Sequence, residues 1–128
     1  MRGSCHCGNV QYDADVSFDM PTFRCNCSVC TKSRSWILPM QASQLEVLEG
    51  GDSISVYTFG EGAVEHCFCR HCGIRTFGRS NGRSPMHPFA AINVSTLDLP
   101  PEEFMKFGIS YLDGAHDSQE PPDITAYL

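Results

Sequence analysis

Eight cysteines in 128 residues, gathered into three tight clusters, constrain this chain more than any other feature. They stand as Cys5 and Cys7, then Cys25, Cys27 and Cys30, then Cys67, Cys69 and Cys72. Thiols at this density form either disulfides or metal sites. Disulfides need an oxidising compartment. No charged-then-apolar leader is visible, so the cytosol is the expected compartment. The spacing also favours metal. Neighbouring thiols that converge on one point suit a tetrahedral ion, whereas a staple joins distant segments.

A C-x-C pair on a strand presents both side chains on one face, because the side-chain period is two. Their Cα atoms then lie roughly 6.5–7 Å apart, and both sulfurs can reach one zinc at about 2.3 Å. A C-x-x-C pair uses a turn, and a glycine after it lets the chain fold back over the ion, as in Cys69-Arg70-His71-Cys72-Gly73. Each pair supplies two ligands and a structural zinc takes four. The simplest closure joins Cys5 and Cys7 to Cys69 and Cys72, clamping the start of the chain to its middle. Such a site contributes on the order of 10 kcal/mol to folding.

Cys25, Cys27 and Cys30 remain as a compact set of three. Three protein ligands with one free position is the pattern of a reactive zinc site, and a thiol entering that position would be deprotonated and nucleophilic. A closed structural site, completed by Cys67 or a histidine, is the alternative that spacing leaves open. Cys67 reads as a packed thiol or as a ligand of either site. The spacing Cys25-x-Cys27-x-x-Cys30 recurs in Cys67-x-Cys69-x-x-Cys72 with unmatched flanks, which indicates similar local geometry rather than duplication.

The length fits one zinc-binding domain over residues 1–128, with a modest core that a metal would help to stabilise. The formal net charge is −6 and no basic run occurs, which argues against duplex nucleic acid as a partner. No stretch approaches 18 apolar residues, so no membrane partner is expected.

Short alternating or apolar runs separated by turn residues predict a mainly β fold. Strands are expected at Val10–Tyr12, Thr22–Arg24, Trp36–Leu38 (closed by Pro39), Leu45–Val47, Ile54–Phe59, Val64–Phe68, Ile74–Phe77 and Phe89–Val94. Gly50-Gly51-Asp52, Glu61-Gly62 and Asp113-Gly114 read as turns. Leu99–Phe104 carries Pro and acids where a first helical turn takes them, and could equally be a turn in a loop. Ser80–Pro88 reads as a surface loop, and Asp117–Asp123 as an extended tail. Trp36, Tyr57 and Phe59 are expected in the core. His66 reads either as a contact of the second site or an acid/base near neutral pH, or as a structural histidine bonded to backbone. His71 should face solvent, and no partner can be read for His87 or His116.

The ordered motifs Gly3-x-Cys5-x-Cys7-Gly8-x-Val10-x-Tyr12, Cys25-Asn26-Cys27-Ser28-x-Cys30-x-Lys32 and His66-x-Phe68-Cys69-x-x-Cys72-Gly73 resemble the glutathione-dependent formaldehyde-activating enzyme family. Within it, they are most similar to the branch that includes centromere protein V. The resemblance extends through Tyr57-x-Phe59 and Phe77, and more faintly through Asn93, Leu97-Asp98 and Asp113-Gly114. It implies an Mss4-like fold of the β-sandwich type, built from short antiparallel strands. It implies a structural zinc on Cys5, Cys7, Cys69 and Cys72, and a second, reactive zinc on Cys25, Cys27 and Cys30. It also implies carbon–sulfur lyase chemistry on the adduct of glutathione and formaldehyde. Lys32, Arg34 and Arg79 are candidates to meet the carboxylates of such a thiol, against the alternative that each is a solvated surface charge.

Two functions follow: a zinc-dependent carbon–sulfur lyase acting on a thiol–aldehyde adduct, or a non-enzymatic zinc module for protein interaction or metal handling. The partition of cysteines has a direct check. Cys69→Ser or Cys72→Ser should prevent soluble folding, whereas Cys27→Ser should leave a folded protein with one zinc fewer. Soluble yield, circular dichroism and metal content decide this, and equal destabilisation by all three substitutions contradicts the partition.

Overall fold

The structure is a computed structural model that describes residues 1–83 and 87–128. The expected Ser80–Pro88 loop therefore falls partly outside the described residues, at 84–86.

Alternation decides which residues face inward. In β2 (Gln11–Ala14) Tyr12 and Ala14 are buried while Gln11 and Asp13 are not. In β4 (Trp36–Gln41) the inward set is Trp36, Leu38 and Met40, and in β9 (Phe89–Asn93) it is Ala90 and Ile92. The remaining strands are β1 (Arg2–Ser4), β3 (Thr22–Cys25), β5 (Leu45–Glu49), β6 (Ile54–Tyr57), β7 (Val64–Cys69), β8 (Arg75–Ser80) and β10 (Ile109–Leu112).

The strands form two sheets. One has three strands in the order β1-β2-β5. The other has seven, in the order β10-β3-β4-β9-β8-β7-β6. Pairing is antiparallel except for β10, which runs parallel to β3 and places Leu112 opposite Cys25. The core is shared by both sheets: Tyr12 and Ala14 of one meet Leu38, Ile92 and Phe77 of the other. The rings of Tyr12 and Phe77 lie edge to face with centroids 6.0 Å apart, and the Tyr12 hydroxyl is bonded to Thr96 Oγ1 at 2.8 Å. A mainly β fold of packed short strands is thus the observed class.

Two short α-helices interrupt the strands: α1 (Ser28–Ser33) and α2 (Pro101–Phe104). The second matches the expected Pro-led turn. The first was not expected from the sequence. It ends at Arg34 in the left-handed conformation, φ 51°, where backbone N–H groups close on Cys30 and Thr31 carbonyls.

Three expectations need correction. Pro39 does not close β4, which runs on to Gln41. Pairing with β3 ends at Ile37, so at Pro39 that side of β4 has no partner strand and a missing N–H removes no ladder bond there. Tyr57 and Phe59 are not in the core; each is about half exposed, at 53% and 47%. Strand β6 lies at the edge of the sheet, and the two rings stack beside His66 rather than under the second sheet. The Cys5/Cys7 pair is not on a strand: β1 stops at Ser4, and residues 5–8 form a turn closed by the Gly8 N–H on the Cys5 carbonyl at 3.0 Å.

Trp36 is buried as expected. Its indole N–H donates to Thr22 Oγ1 at 2.7 Å, and that hydroxyl donates to the Gly108 carbonyl at 2.5 Å, fixing β3 beside the entry to β10. Among the described residues no helix is long and apolar enough to cross a membrane. Leu38 is fully buried between the sheets. Leu38→Ala should therefore cost about 2–5 kcal/mol, read from urea unfolding beside wild type; a loss within experimental error would contradict the placement of the core.

Candidate functional site

The sequence places Cys5 and Cys7 more than sixty positions from Cys69 and Cys72, and the fold brings all four sulfurs together. Every Sγ of the set lies within 4.8 Å of the others. Cys5 and Cys7 are 3.6 Å apart, and Cys7 and Cys69 are 3.7 Å apart. Four sulfurs around one zinc at about 2.3 Å would be separated by about 3.8 Å along a tetrahedral edge, so this donor set fits such an ion.

Two similar turns build the cluster. In one, Gly8 takes φ 79°, and the Val10 N–H points at Cys5 Sγ at 3.3 Å. In the other, Gly73 takes φ 76°, with its N–H on the Cys69 carbonyl at 2.7 Å. These are the left-handed positions a side chain would oppose. The thiols are not equivalent. Burial pushes Cys5 up to about 11. The Asn9 side-chain and backbone N–H groups pull Cys7 down to about 6, and the amide sits 3.1 Å from its sulfur. The backbone N–H of Ile74 lowers Cys72 in the same way. N–H donors aimed at sulfur favour the thiolate, the form that binds metal.

The second cluster forms where β3 passes into α1. Cys25 ends the strand, Cys27 is the residue before the helix, and Cys30 sits in its first turn. Their sulfurs also lie within 4.8 Å of one another. Burial pushes Cys25 up, partly offset by the Cys27 N–H at 3.4 Å. Cys30 is pushed up to about 12, first by burial and then by the charge of Cys27. Burial acts on Cys27 too, but the N–H groups of Cys30 and Val29 and its sulfur neighbours bring it below the ordinary thiol value without closing a full capping bond. Three soft sulfur donors of this kind fit zinc as well. Among the described residues no fourth Cys, His, Asp or Glu donor joins these three.

A segment after β10 packs on this cluster. The Asn26 side chain, between two of the cysteines, donates to Asp113 at 2.6 Å and accepts the Ala115 N–H at 2.9 Å. The Asn26 amide, and then His116 at 2.8 Å, hold the Asp113 carboxyl below the usual range. Gly114 lies so close that a Cβ there would sit 2.5 Å from Cys25 Sγ and 3.2 Å from Cys27 Cβ. Asp113-Gly114 is thus more than a turn: glycine is required where the chain crosses the sulfurs.

Cys67 joins neither cluster. A register shift between Cys67 and Phe68 separates it from Cys69, and it is buried in the main core. His71 is exposed and reaches Ser53 Oγ at 3.2 Å. His66 is buried and lines the same cavity as Cys27 and Cys30, and its Nδ1 has no hydrogen-bond partner among the described residues.

A cavity of about 400 Å³ opens at Cys27 and Cys30, within the size range of small-molecule sites. Val29, Ile37, Phe59, Phe89 and Ala91 form its apolar wall, and His66, Arg75 and the exposed Glu61 add polar groups. A neighbouring depression over α1 shares Val29 and Phe59 and carries Lys32. Of the basic residues singled out in the sequence, only Lys32 lies beside this space. Arg79 is paired with Glu65 at 2.7 Å, and Arg34 donates to the Tyr127 carbonyl. Sequence reasoning passed over Arg75, because nothing in its local pattern distinguishes it from its neighbours.

Comparison with known proteins agrees with this geometry. The family model for "Glutathione-dependent formaldehyde-activating enzyme" matches residues 1–107. A Halomonas elongata protein, provisionally named a glutathione-dependent formaldehyde-activating enzyme, is 32% identical over 113 residues, covering 80% of this chain and 71% of that protein. A crystal structure of a Rhodobacter sphaeroides protein superposes with a TM-score of 0.70 at 29% identity, covering 86% of this chain and all of the other.

The Gly114 contact is testable. Gly114→Ala should halve the metal bound by saturated protein while leaving the circular dichroism intact, read by elemental analysis beside wild type. Full metal content in the variant would mean the crossing segment does not constrain the sulfurs.

Proposed function

The chain belongs to the glutathione-dependent formaldehyde-activating enzyme family, and from that premise we propose that it is a zinc-dependent carbon–sulfur lyase acting on a thiol–aldehyde adduct. The thiol is glutathione and the aldehyde is formaldehyde or a similar small one. Cys5, Cys7, Cys69 and Cys72 hold a structural zinc; Cys25, Cys27 and Cys30 hold the reactive one. The observation that carries this reading is the opening of the three-sulfur cluster onto the cavity through Cys27 and Cys30. The absence of a fourth protein donor among the described residues supports an open site over the closed, non-enzymatic alternative.

Zinc bound there would supply a Lewis acid, softened by three thiolates, with a position open to the substrate sulfur. The chain's own residues do the rest. The cavity holds thiol and aldehyde together, which makes a bimolecular encounter effectively unimolecular. In the joining direction the thiol loses its proton, sulfur bonds to the carbonyl carbon, and the carbonyl oxygen gains a proton. Burial, and then the nearby charge of Arg75, hold the His66 imidazole below its ordinary pKa. It is therefore neutral at neutral pH and able to accept the thiol proton and return it to oxygen. Cleavage reverses these transfers.

Exchange NMR on glutathione, formaldehyde and zinc-loaded protein tests the proposal. Interconversion with the hydroxymethyl thioether should exceed the spontaneous rate, and folded Cys27→Ser should lose the excess. Exchange at the spontaneous rate for formaldehyde and other small aldehydes alike would overturn it.

A further inference from the structure

Arg75 is a cation with no carboxylate partner among the described residues. It is half-buried in the cavity wall beside Cys27 and Cys30. Its Nη1 donates to Ser35 Oγ at 3.1 Å and Ser33 Oγ at 3.4 Å. Among the described residues no carboxylate lies within ion-pair distance of it, although Arg79, on the same strand, has Glu65. Two hydroxyls on one nitrogen orient the guanidinium but leave its other donors unused; the group has five and is always charged. A half-buried charge left in this state is costly unless something supplies the missing acceptor. The rest of the wall is apolar from Ile37 through Phe59 to Phe89, apart from His66 and the exposed Glu61, whose carboxylate makes no ion pair with Arg75. The unused fork therefore faces a space that is otherwise suited to a substrate's hydrocarbon parts, next to the sulfurs.

We propose that Arg75 is the specificity residue of this site, receiving a carboxylate of the thiol substrate while the substrate sulfur lies at the cysteine cluster. The inference rests on the lyase reading for its substrate, but the geometry that carries it is the uncompensated guanidinium. A guanidinium recognises a carboxylate through two parallel hydrogen bonds, which fixes orientation as well as charge. The site then selects thiols that carry an acid within reach of the sulfur and rejects neutral thiols of equal size. Ser33 and Ser35, just after Cys30 in the chain, act as positioning residues that tie the receptor to the helix bearing that cysteine. A different role, neutralising the charge of the thiolates, would affect every thiol equally.

The experiment compares glutathione with its diethyl ester, which keeps the thiol and removes both acids, in wild type and Arg75→Gln. Equilibrium binding to zinc-loaded protein is measured by calorimetry, and KM and kcat with formaldehyde separately. Wild type should bind glutathione at least about tenfold more tightly than the ester, with the difference in KM and kcat changed little. In Arg75→Gln the preference should fall to about one at unchanged zinc content, and Arg75→Lys should recover part of it. Equal binding of acid and ester by wild type overturns the proposal, and this arm stands if the variants fail to fold. Equal weakening of both thiols by Arg75→Gln also overturns it, assigning Arg75 to charge compensation. If wild type turns over neither thiol, the lyase reading fails; the binding preference still decides whether Arg75 receives an acid.

Discussion

The meeting of Cys5 and Cys7 with Cys69 and Cys72 is the contact on which the other features depend. It joins the turn after β1, in the three-stranded sheet, to the end of β7, near the edge of the seven-stranded one. Between these points the core is thin. Val10 and Cys69, both fully buried, belong to a small cluster of their own beside the sulfurs, apart from the main core around Leu38 and Phe77. Thiols with neighbours at 3.6–3.7 Å gain little from one another, because sulfur is a weak donor and acceptor. An ion bound by four thiolates would supply free energy that so small an apolar cluster does not. Gly50 belongs to the same construction. A side chain there would collide with the Asn9 carbonyl, and Asn9 is the residue whose amide reaches Cys7.

The second cluster is assembled differently from the same letters. Cys25-x-Cys27-x-x-Cys30 and Cys67-x-Cys69-x-x-Cys72 share a spacing, yet only the first brings all three sulfurs together. In the second run the first cysteine is inside a strand, and a register shift sends it to the core while Cys69 goes to the metal cluster. In the first run the strand stops at Cys25 and a helical turn begins at Ser28, so the backbone wraps around one point. The segment from β10 then lies across that point, with Gly114 against Cys25 and Asn26 bonded to Asp113. One face of the cluster is covered by chain and another opens onto the cavity, which is the asymmetry expected of a site that admits a small molecule.

Much of this was legible in the sequence because it rests on short-range rules. The alternation in Val10–Tyr12 and the apolar runs at Trp36 and Phe89 identified strands that the fold retains, the first as Gln11–Ala14. The thiol spacing divided seven cysteines into the two groups whose sulfurs the fold draws within 4.8 Å of one another. The failures have a common cause in long-range pairing. Arg2–Ser4 and Ile109–Leu112 are strands chiefly because β2 and β3 offer them edges. Helix α1 carries no apolar periodicity and forms where the cysteines must converge. Tyr57 and Phe59 alternate like core residues, but β6 is an edge strand and nothing covers them among the described residues. Arg75 became visible only in the folded site, where it lines the cavity with two serine hydroxyls and, among the described residues, no carboxylate in ion-pair reach, a property of the site and not of a motif.

The most direct measurement is a chelator titration of purified protein in which metal release and far-ultraviolet circular dichroism are recorded together. Metal should leave in two steps. The first should come from the three-sulfur cluster that opens onto the cavity, with the β signal unchanged, and the second should coincide with loss of that signal as the four-sulfur clamp opens. A fully stripped protein that keeps its native signal, or thiols found oxidised in pairs with no metal to release, would contradict the account.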